Sequence, residues 1–133
     1  MTTYYLAGRF DRKAEIARYA DDLRTIGSTV NARWLTGAHD HTTEGCLTGD
    51  QLIQYASEDL EDIDAADALV LFLEHPNAGY LSGGRHVETG YAIARGKAIY
   101  LVGFAKENVF HALYPRFATW DAFMASRLLE VPA

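Results

Sequence analysis

The chain is poor in the residues that staple small secreted folds and in those that grip polyanions. It contains one cysteine, Cys46, so no intrachain disulfide can form and a reducing compartment is the expected setting. Twelve Lys and Arg stand against 18 Asp and Glu, a formal net charge of -6. Holding a nucleic-acid polymer through its phosphates requires clustered cations, so that class of partner is excluded, whereas a small nucleotide held by one or two local donors is not. No apolar run approaches the roughly 20 residues that span a bilayer. The opening MTTYYLAGRF lacks the basic and long apolar regions of a secretory signal. A cytoplasmic protein without a membrane partner is the expectation. No G-x-G-x-x-G follows the first apolar segment, and no glycine loop ends in the Lys-Ser/Thr of a P-loop, which disfavours dinucleotide oxidoreductases and nucleoside triphosphatases.

The composition itself is that of an ordinary globular protein, 49% hydrophobic and 23% charged. The length fits one domain, residues 1–133, with a core that needs neither disulfide nor metal. Thr3 to Ala7 reads as a buried strand ending at Gly8. Ala14, Ile16, Ala17, Ala20, Leu23 and Ile26 recur at helical spacing between Arg12 and Ile26, with Gly27 as the stop. Ser28 to Leu35 alternates Val30, Ala32 and Trp34 and reads as a second strand, followed by a polar loop from Thr36 to Gly49. A helix is expected over Asp50–Asp64, and an apolar strand over Ala68–Leu73. The glycine-containing loop Glu74–Gly84 leads to a helix over Arg85–Arg95, and a further strand covers Ala98–Val102. The tail holds a helical turn at Asn108–Leu113, Pro115, and a last helix over Trp120–Leu129. This alternation predicts an α/β fold: a doubly wound, flavodoxin-like or Rossmann-like parallel sheet of about five strands with helices on both faces. Ligands of such sheets sit beyond the carboxyl ends of the strands, where strand order reverses.

Several residues at those ends could carry chemistry. Glu88 falls in the first turns of the helix after the glycine loop, where the helix dipole favours a carboxylate. Acids in that position also serve stability alone. Asp59 is one of five acids in the helix segment SEDLEDIDAAD (Glu58, Asp59, Glu61, Asp62 and Asp64), and spacing does not choose among them. The loop containing Ser82, Gly83, Gly84 and Arg85 could present amides and a hydroxyl to a phosphate or sugar. His39, Asp40, His41 and Glu44 lack a matching metal-ligand partner motif, so no metal is expected there. His86 stands beside Glu88, Cys46 reads as an ordinary thiol, and Tyr4, Tyr5 and Phe10 either stack a base or belong to the core.

Three segments, in order, make the chain resemble the nucleoside 2-deoxyribosyltransferase superfamily, which includes the 2′-deoxynucleoside 5′-monophosphate N-glycosidases. They are YYLAGRF, DLEDIDAADALVLFL and SGGRHVETGYAIARGKAIYLVG; the pattern of Glu88, Gly90, Ala92, Gly96 and Lys97 in the last is the most specific. The resemblance implies that Glu88 is the catalytic nucleophile and Asp59 the acid beside base and sugar. It further implies that Gly8, Arg9, Phe10, Ser82, Gly83, Gly84, Arg85 and His86 contact substrate. Phe10 would lie against the nucleobase, and Ser82 would lie where N-glycosidases contact the 5′-phosphate. Two departures bear on the substrate: Arg9 stands where the N-glycosidases have serine, and Arg85 and His86 replace small and aromatic residues.

The activity implied by the resemblance is cleavage of a (deoxy)nucleoside N-glycosidic bond through a covalent glycosyl-Glu88, with transfer to another base and no metal or organic cofactor. The first alternative is hydrolysis of a nucleoside 5′-monophosphate, with Arg9, Ser82 and Arg85 holding the phosphate. The second is a catalytically silent nucleotide-binding module. Members of the superfamily are usually dimers or larger, so a homo-oligomer is implied. Phe110, Tyr114, Phe117, Trp120 and Phe123 are aromatic tail residues that suit either an interface or the core.

Overall fold

The computed structural model describes residues 1–36, 47–79 and 83–130. The expected loop residues His39, Asp40, His41, Glu44 and Cys46, and Ser82 of the glycine loop, lie outside the described residues. Strand β1 (Thr3–Ala7) leads through a 3-10 turn at Phe10–Arg12 into helix α1 (Lys13–Thr25), then β2 (Thr29–Val30). Helix α2 (Gly49–Asp64), β3 (Ala68–Phe72), α3 (Gly84–Ala94), β4 (Ala98–Val102), β5 (Arg116–Phe117) and α4 (Trp120–Glu130) complete the order. The five strands form one sheet in the order β2-β1-β3-β4-β5, and every neighbouring pair is parallel. This is the α/β architecture expected from the alternation of elements. Strand order reverses between β1 and β3, which places the ligand crevice of such a sheet at the carboxyl ends of those two strands.

Local chemistry explains the boundaries. Helix α2 begins with a capping box: the Thr48 hydroxyl accepts the Gln51 amide at 3.1 Å, and the Gln51 side chain accepts the Thr48 amide at 2.9 Å. Gly27 and Gly96 adopt positive φ after α1 and α3, as a left-handed exit requires. All five residues of β3 are buried, which fits a strand covered on both faces. Side chains of β1 alternate. Tyr4 meets Phe123 of α4 edge-on, whereas Tyr5 points to the opposite side, towards α3. Helices α1 and α4 therefore share one face. There Trp120 stacks on Tyr19 at 4.6 Å and donates to Asp22 at 2.9 Å. Helices α2 and α3 cover the other face, joined by Tyr91 of α3 and Arg95 just after it on Asp64 of α2.

One expectation is corrected. The strand expected over Ser28–Leu35 stops at Val30. The Arg33 amide is taken by the Asp62 carboxylate at 2.8 Å, and Leu35 returns to the Ala32 carbonyl, so the ladder has no donors left to extend it. Trp34 is buried and donates to the Leu6 carbonyl at 2.9 Å from a 3-10 turn, not from a strand. The fifth strand is the pair Arg116–Phe117, too short for a periodicity to mark it. Of the tail aromatics, Trp120 and Phe123 are core, and Tyr114 and Phe117 pack partly against it, leaving Phe110 exposed. Among the described residues no helix is long and apolar enough to cross a membrane.

Where β4 ends, Gly103 has φ +153 and passes so close to β3 that an added Cβ would lie 2.6 Å from Leu73 Cβ. Backbone strain and a rigid clash combine there. Gly103→Ala should lower unfolding free energy by about 2 kcal/mol or more, read from urea midpoints.

Candidate active site

The candidate site is assembled on Tyr5. A phenol on a fully buried strand must find a polar partner for its hydroxyl, and the Tyr5 O–H donates to Glu88 Oε2. Glu88 is the fifth residue of α3, at the end of its first turn. Burial pushes its carboxyl up to about 8; the charge of Asp59 adds to the rise and the Tyr5 hydroxyl opposes it. Asp59 comes from α2 and is pushed up to about 7, first by burial and then by the charges of Asp62 and Glu58, against the pull of Arg33. Tyr5 is itself raised well above 10, by burial and then by the charges of Glu88 and Asp59, so it remains a neutral donor. Glu88 and Asp59 thus lie within electrostatic reach of each other, with one phenol between them. Asp59 Oδ1 is buried and has no hydrogen-bond partner among the described residues. An acceptor left so costs about 1–3 kcal/mol, which a proton or ligand would recover.

The other acids of α2 are occupied elsewhere, which sorts the five that spacing could not. Asp62 holds the Arg33 amide and Nε, and Glu61 meets Arg33 Nη2 at 2.9 Å. Asp64 accepts from Tyr91 and Arg95, and Asp67 beyond the helix accepts the Thr3 amide. Glu58 accepts from Gln54 Nε2 at 3.2 Å and adds its charge to the rise at Asp59.

The remaining expected site residues surround the switch point in different ways. Gly8 comes directly after β1 where an added Cβ would lie 2.5 Å from Ile16 Cδ1, so the chain passes tightly over α1. Arg9 bridges to the far loop, donating to the Ala78 carbonyl at 2.9 Å and to Asp11 at 2.7 Å. Phe10 opens the 3-10 turn with its ring 6.2 Å from Trp34. Gly83, in the left-handed region at φ 85, precedes Gly84 as the N-cap of α3 and supplies no side chain to its free amides. Arg85 is the main departure. Expected to face a phosphate, its guanidinium is buried and paired with Glu107 through two contacts of 2.5 Å. His86 lies 3.6 Å from Glu107 and against the His111 ring, and burial with the Arg85 charge lowers its pKa, leaving it neutral at pH 7.

Two residues of the site carry roles that the sequence does not display. Tyr5 reads there as a core or base-stacking aromatic, although a tyrosine within a continuous apolar strand signals a buried hydroxyl in need of a partner. Glu107 carries no local signal, because its partners are contributed from β3 and α3.

The fold has known relatives, though no family model and no curated protein sequence matches the chain. A 2-deoxyribosyltransferase from the psychrotolerant bacterium Bacillus psychrosaccharolyticus superposes with a TM-score of 0.70 at 20% identity, over 92% of this chain and 90% of that one. The CMP N-glycosidase BcmB of Clostridium botulinum gives 0.60 at 20% identity, over 96% and 98%. A 2-deoxyribosyltransferase from Leishmania mexicana gives 0.58 at 18% identity, over 84% and 71%. The protein has the fold of these enzymes.

A raised carboxyl pKa has a consequence for stability. The folded state holds the Glu88 proton more tightly than the unfolded chain, so that contribution is complete below about 4.5 and is lost as pH rises through about 8. Glu88→Gln removes this loss. The variant should gain about 4 kcal/mol relative to the parent between pH 4.5 and pH 9, measured by denaturant unfolding at both pH values. Parallel pH profiles for the two proteins would show that Glu88 titrates normally.

Proposed function

We propose that the protein cleaves the N-glycosidic bond of a 2′-deoxynucleoside and transfers the sugar to a second nucleobase through a covalent glycosyl-Glu88. One observation carries this reading: the Tyr5 hydroxyl joins Glu88, and Asp59 is close enough for its charge to raise the Glu88 carboxyl. With carboxyls at about 7 and about 8, the pair holds about one proton between them slightly above neutral pH. One carboxylate and one carboxylic acid are what glycosyl transfer with retention needs. The shared proton rests mainly on Glu88, so the reactive form is the minor one, with the proton on Asp59. In that form Glu88, ionised and aligned by Tyr5, attacks the anomeric carbon. The carbon–nitrogen bond breaks, its electron pair goes to the base, and the Asp59 proton joins it there. In the second half an acceptor base attacks the same carbon, Glu88 leaves, and the acceptor's proton returns to Asp59. The likeness in fold to two deoxyribosyltransferases and a CMP N-glycosidase supports glycosyl chemistry on a nucleoside or nucleotide.

The charge around the switch point favours a nucleoside over its 5′-monophosphate. Arg9 is paired with Asp11, Arg12 with Glu15 and Glu74, and Arg85 with Glu107. Segments 37–46 and 80–82 contain no Lys or Arg. The monophosphate N-glycosidase reading has one observation in its favour, the start of α3 at Gly83 and Gly84, where no side chain among the described residues caps the first amides.

Incubation of a 2′-deoxynucleoside with a second base should yield the exchanged nucleoside, and Glu88→Gln should reduce this by about a thousandfold or more. Base release confined to the 5′-monophosphate, without exchange, would establish hydrolysis instead. Substrate bound by the parent protein at high concentration with no base released would establish a binding module.

The pH–rate profile should be bell-shaped, with limbs near about 7 and about 8 from the carboxyl pair. Tyr5→Phe removes a donor that favours ionised Glu88, so it should move the limb near about 8 upward and lower kcat by about tenfold or more. An unmoved upper limb would separate Tyr5 from the chemistry.

A further inference from the structure

A second polar cluster lies where α3, the end of β3 and the β4–β5 connection meet. Its centre is Glu107, whose two oxygens take both terminal nitrogens of the Arg85 guanidinium at 2.5 Å each. Glu107 Oε2 also accepts the Glu74 amide at 3.1 Å, and the Glu107 amide donates to His111 Nδ1 at 3.1 Å. Arg85 reaches the Phe72 carbonyl at 3.5 Å, and its side chain is 3% exposed. One carboxylate therefore fastens the first turn of α3, the exit of β3 and the loop after β4. Those are the segments that frame the carboxyl end of β3 beside Glu88.

A buried ion pair is weak evidence of stability, because desolvation offsets most of the attraction, and an apolar pair of similar volume often folds as well. What the bidentate fork supplies and an apolar pair does not is a fixed angle and register. Arg85 precedes Glu88 by three residues on one helix, so a displacement of the first turn carries Glu88 with it. The contact of Glu88 with Tyr5 has the short reach of a hydrogen bond, and misplacement by about 1 Å costs a reacting group on the order of a hundredfold in rate.

We propose that the Arg85–Glu107 pair positions the first turn of α3 so that Glu88 meets the Tyr5 hydroxyl, and that it acts on turnover through this placement without touching substrate. The inference rests on the glycosyl-transfer reading for its kinetic consequence, and on the geometry alone for its structural one.

Two variants test it: Glu107→Gln, which keeps the shape and removes the charge, and the double replacement Arg85→Met with Glu107→Leu, which removes the buried charges together. Base exchange from a 2′-deoxynucleoside gives kcat and KM, carbon-13 NMR of labelled glutamate side chains tracks the Glu88 carboxyl, and thermal melts report folding. In both variants kcat should fall about tenfold or more with KM held within about threefold, the pattern of a lost transition-state alignment. The Glu88 titration midpoint should move by about one pH unit or more as the carboxyl leaves its partners. The double variant should melt close to the parent. A folded double variant with parental kcat and an unmoved Glu88 titration overturns the proposal. Failure of both variants to fold also overturns it, by assigning the pair to stability. If the parent protein exchanges no base, the glycosyl-transfer reading fails separately, and the titration alone decides: a moved midpoint supports the positioning role and an unmoved one ends it.

Discussion

Two carboxyl groups and a phenol share the low-dielectric space between β1 and helices α2 and α3, and the surrounding structure has to contain the repulsion this creates. In water two such acids would both be ionised at neutral pH with little mutual cost. Here burial is the largest cause of the rise at each; the Asp59 charge adds to it at Glu88, and the charges of Asp62 and Glu58 add to it at Asp59. The sheet supplies the rigidity. Tyr5 is paired in register with Leu69 of β3, and the neighbouring residues Leu6 and Ala7 are fully buried, so the hydroxyl cannot retreat. Each acid comes from a different helix, and those helices are tied to one another through Asp64 with Tyr91 and Arg95. The site is therefore destabilised locally and held globally, the usual arrangement where function rather than packing sets side-chain placement.

That division also explains how much of the molecule is legible in its sequence. Periodicity and punctuation are local, and they locate β1, α1, β3, α3 and β4 nearly to the residue, with Gly27 and Gly96 closing the helices they are expected to close. The position of the crevice is then set by the parallel alternation. Pairing is not local. Spacing does not distinguish Asp59 from Asp62, because the difference is that Arg33, nearly 30 residues earlier, reaches Asp62 with both its amide and its guanidinium. The same amide is what ends β2, so one tertiary bond accounts for both an overlong strand and an open choice among acids. Arg85 reads as a phosphate ligand in the sequence because Glu107 is 22 residues away and on another loop. Trp120 and Phe123 look equally suited to an interface until Tyr19, Phe72 and Tyr4 close around them.

The distribution of guanidinium groups is informative in the same way. Four of them, Arg9, Arg12, Arg33 and Arg85, lie on or beside the segments that border the crevice, and each is neutralised by an acid from its own neighbourhood. None adds net positive charge next to Glu88. An unpaired cation there would lower the Glu88 and Asp59 pKa values and leave both acids ionised, abolishing the mixed protonation that distinguishes attacking group from proton donor. Paired, the arginines brace loops while the pull of Arg33 on Asp59 is outweighed by burial and by the charges of Asp62 and Glu58.

A site of this charge selects by what develops during reaction rather than by what is present in the substrate. A deoxynucleoside is neutral, and positive charge appears on its sugar only as the bond to the base stretches. An ionised carboxylate in a poorly solvated place gains most when that charge appears, since neither group then has water to screen it. The energy that keeps Glu88 reluctant to ionise in the free protein is thus returned at the point where the sugar becomes a cation. The same field acts against a ligand that arrives already negative, which makes the open amides at the start of α3 the part of the structure on which any phosphate recognition would have to depend.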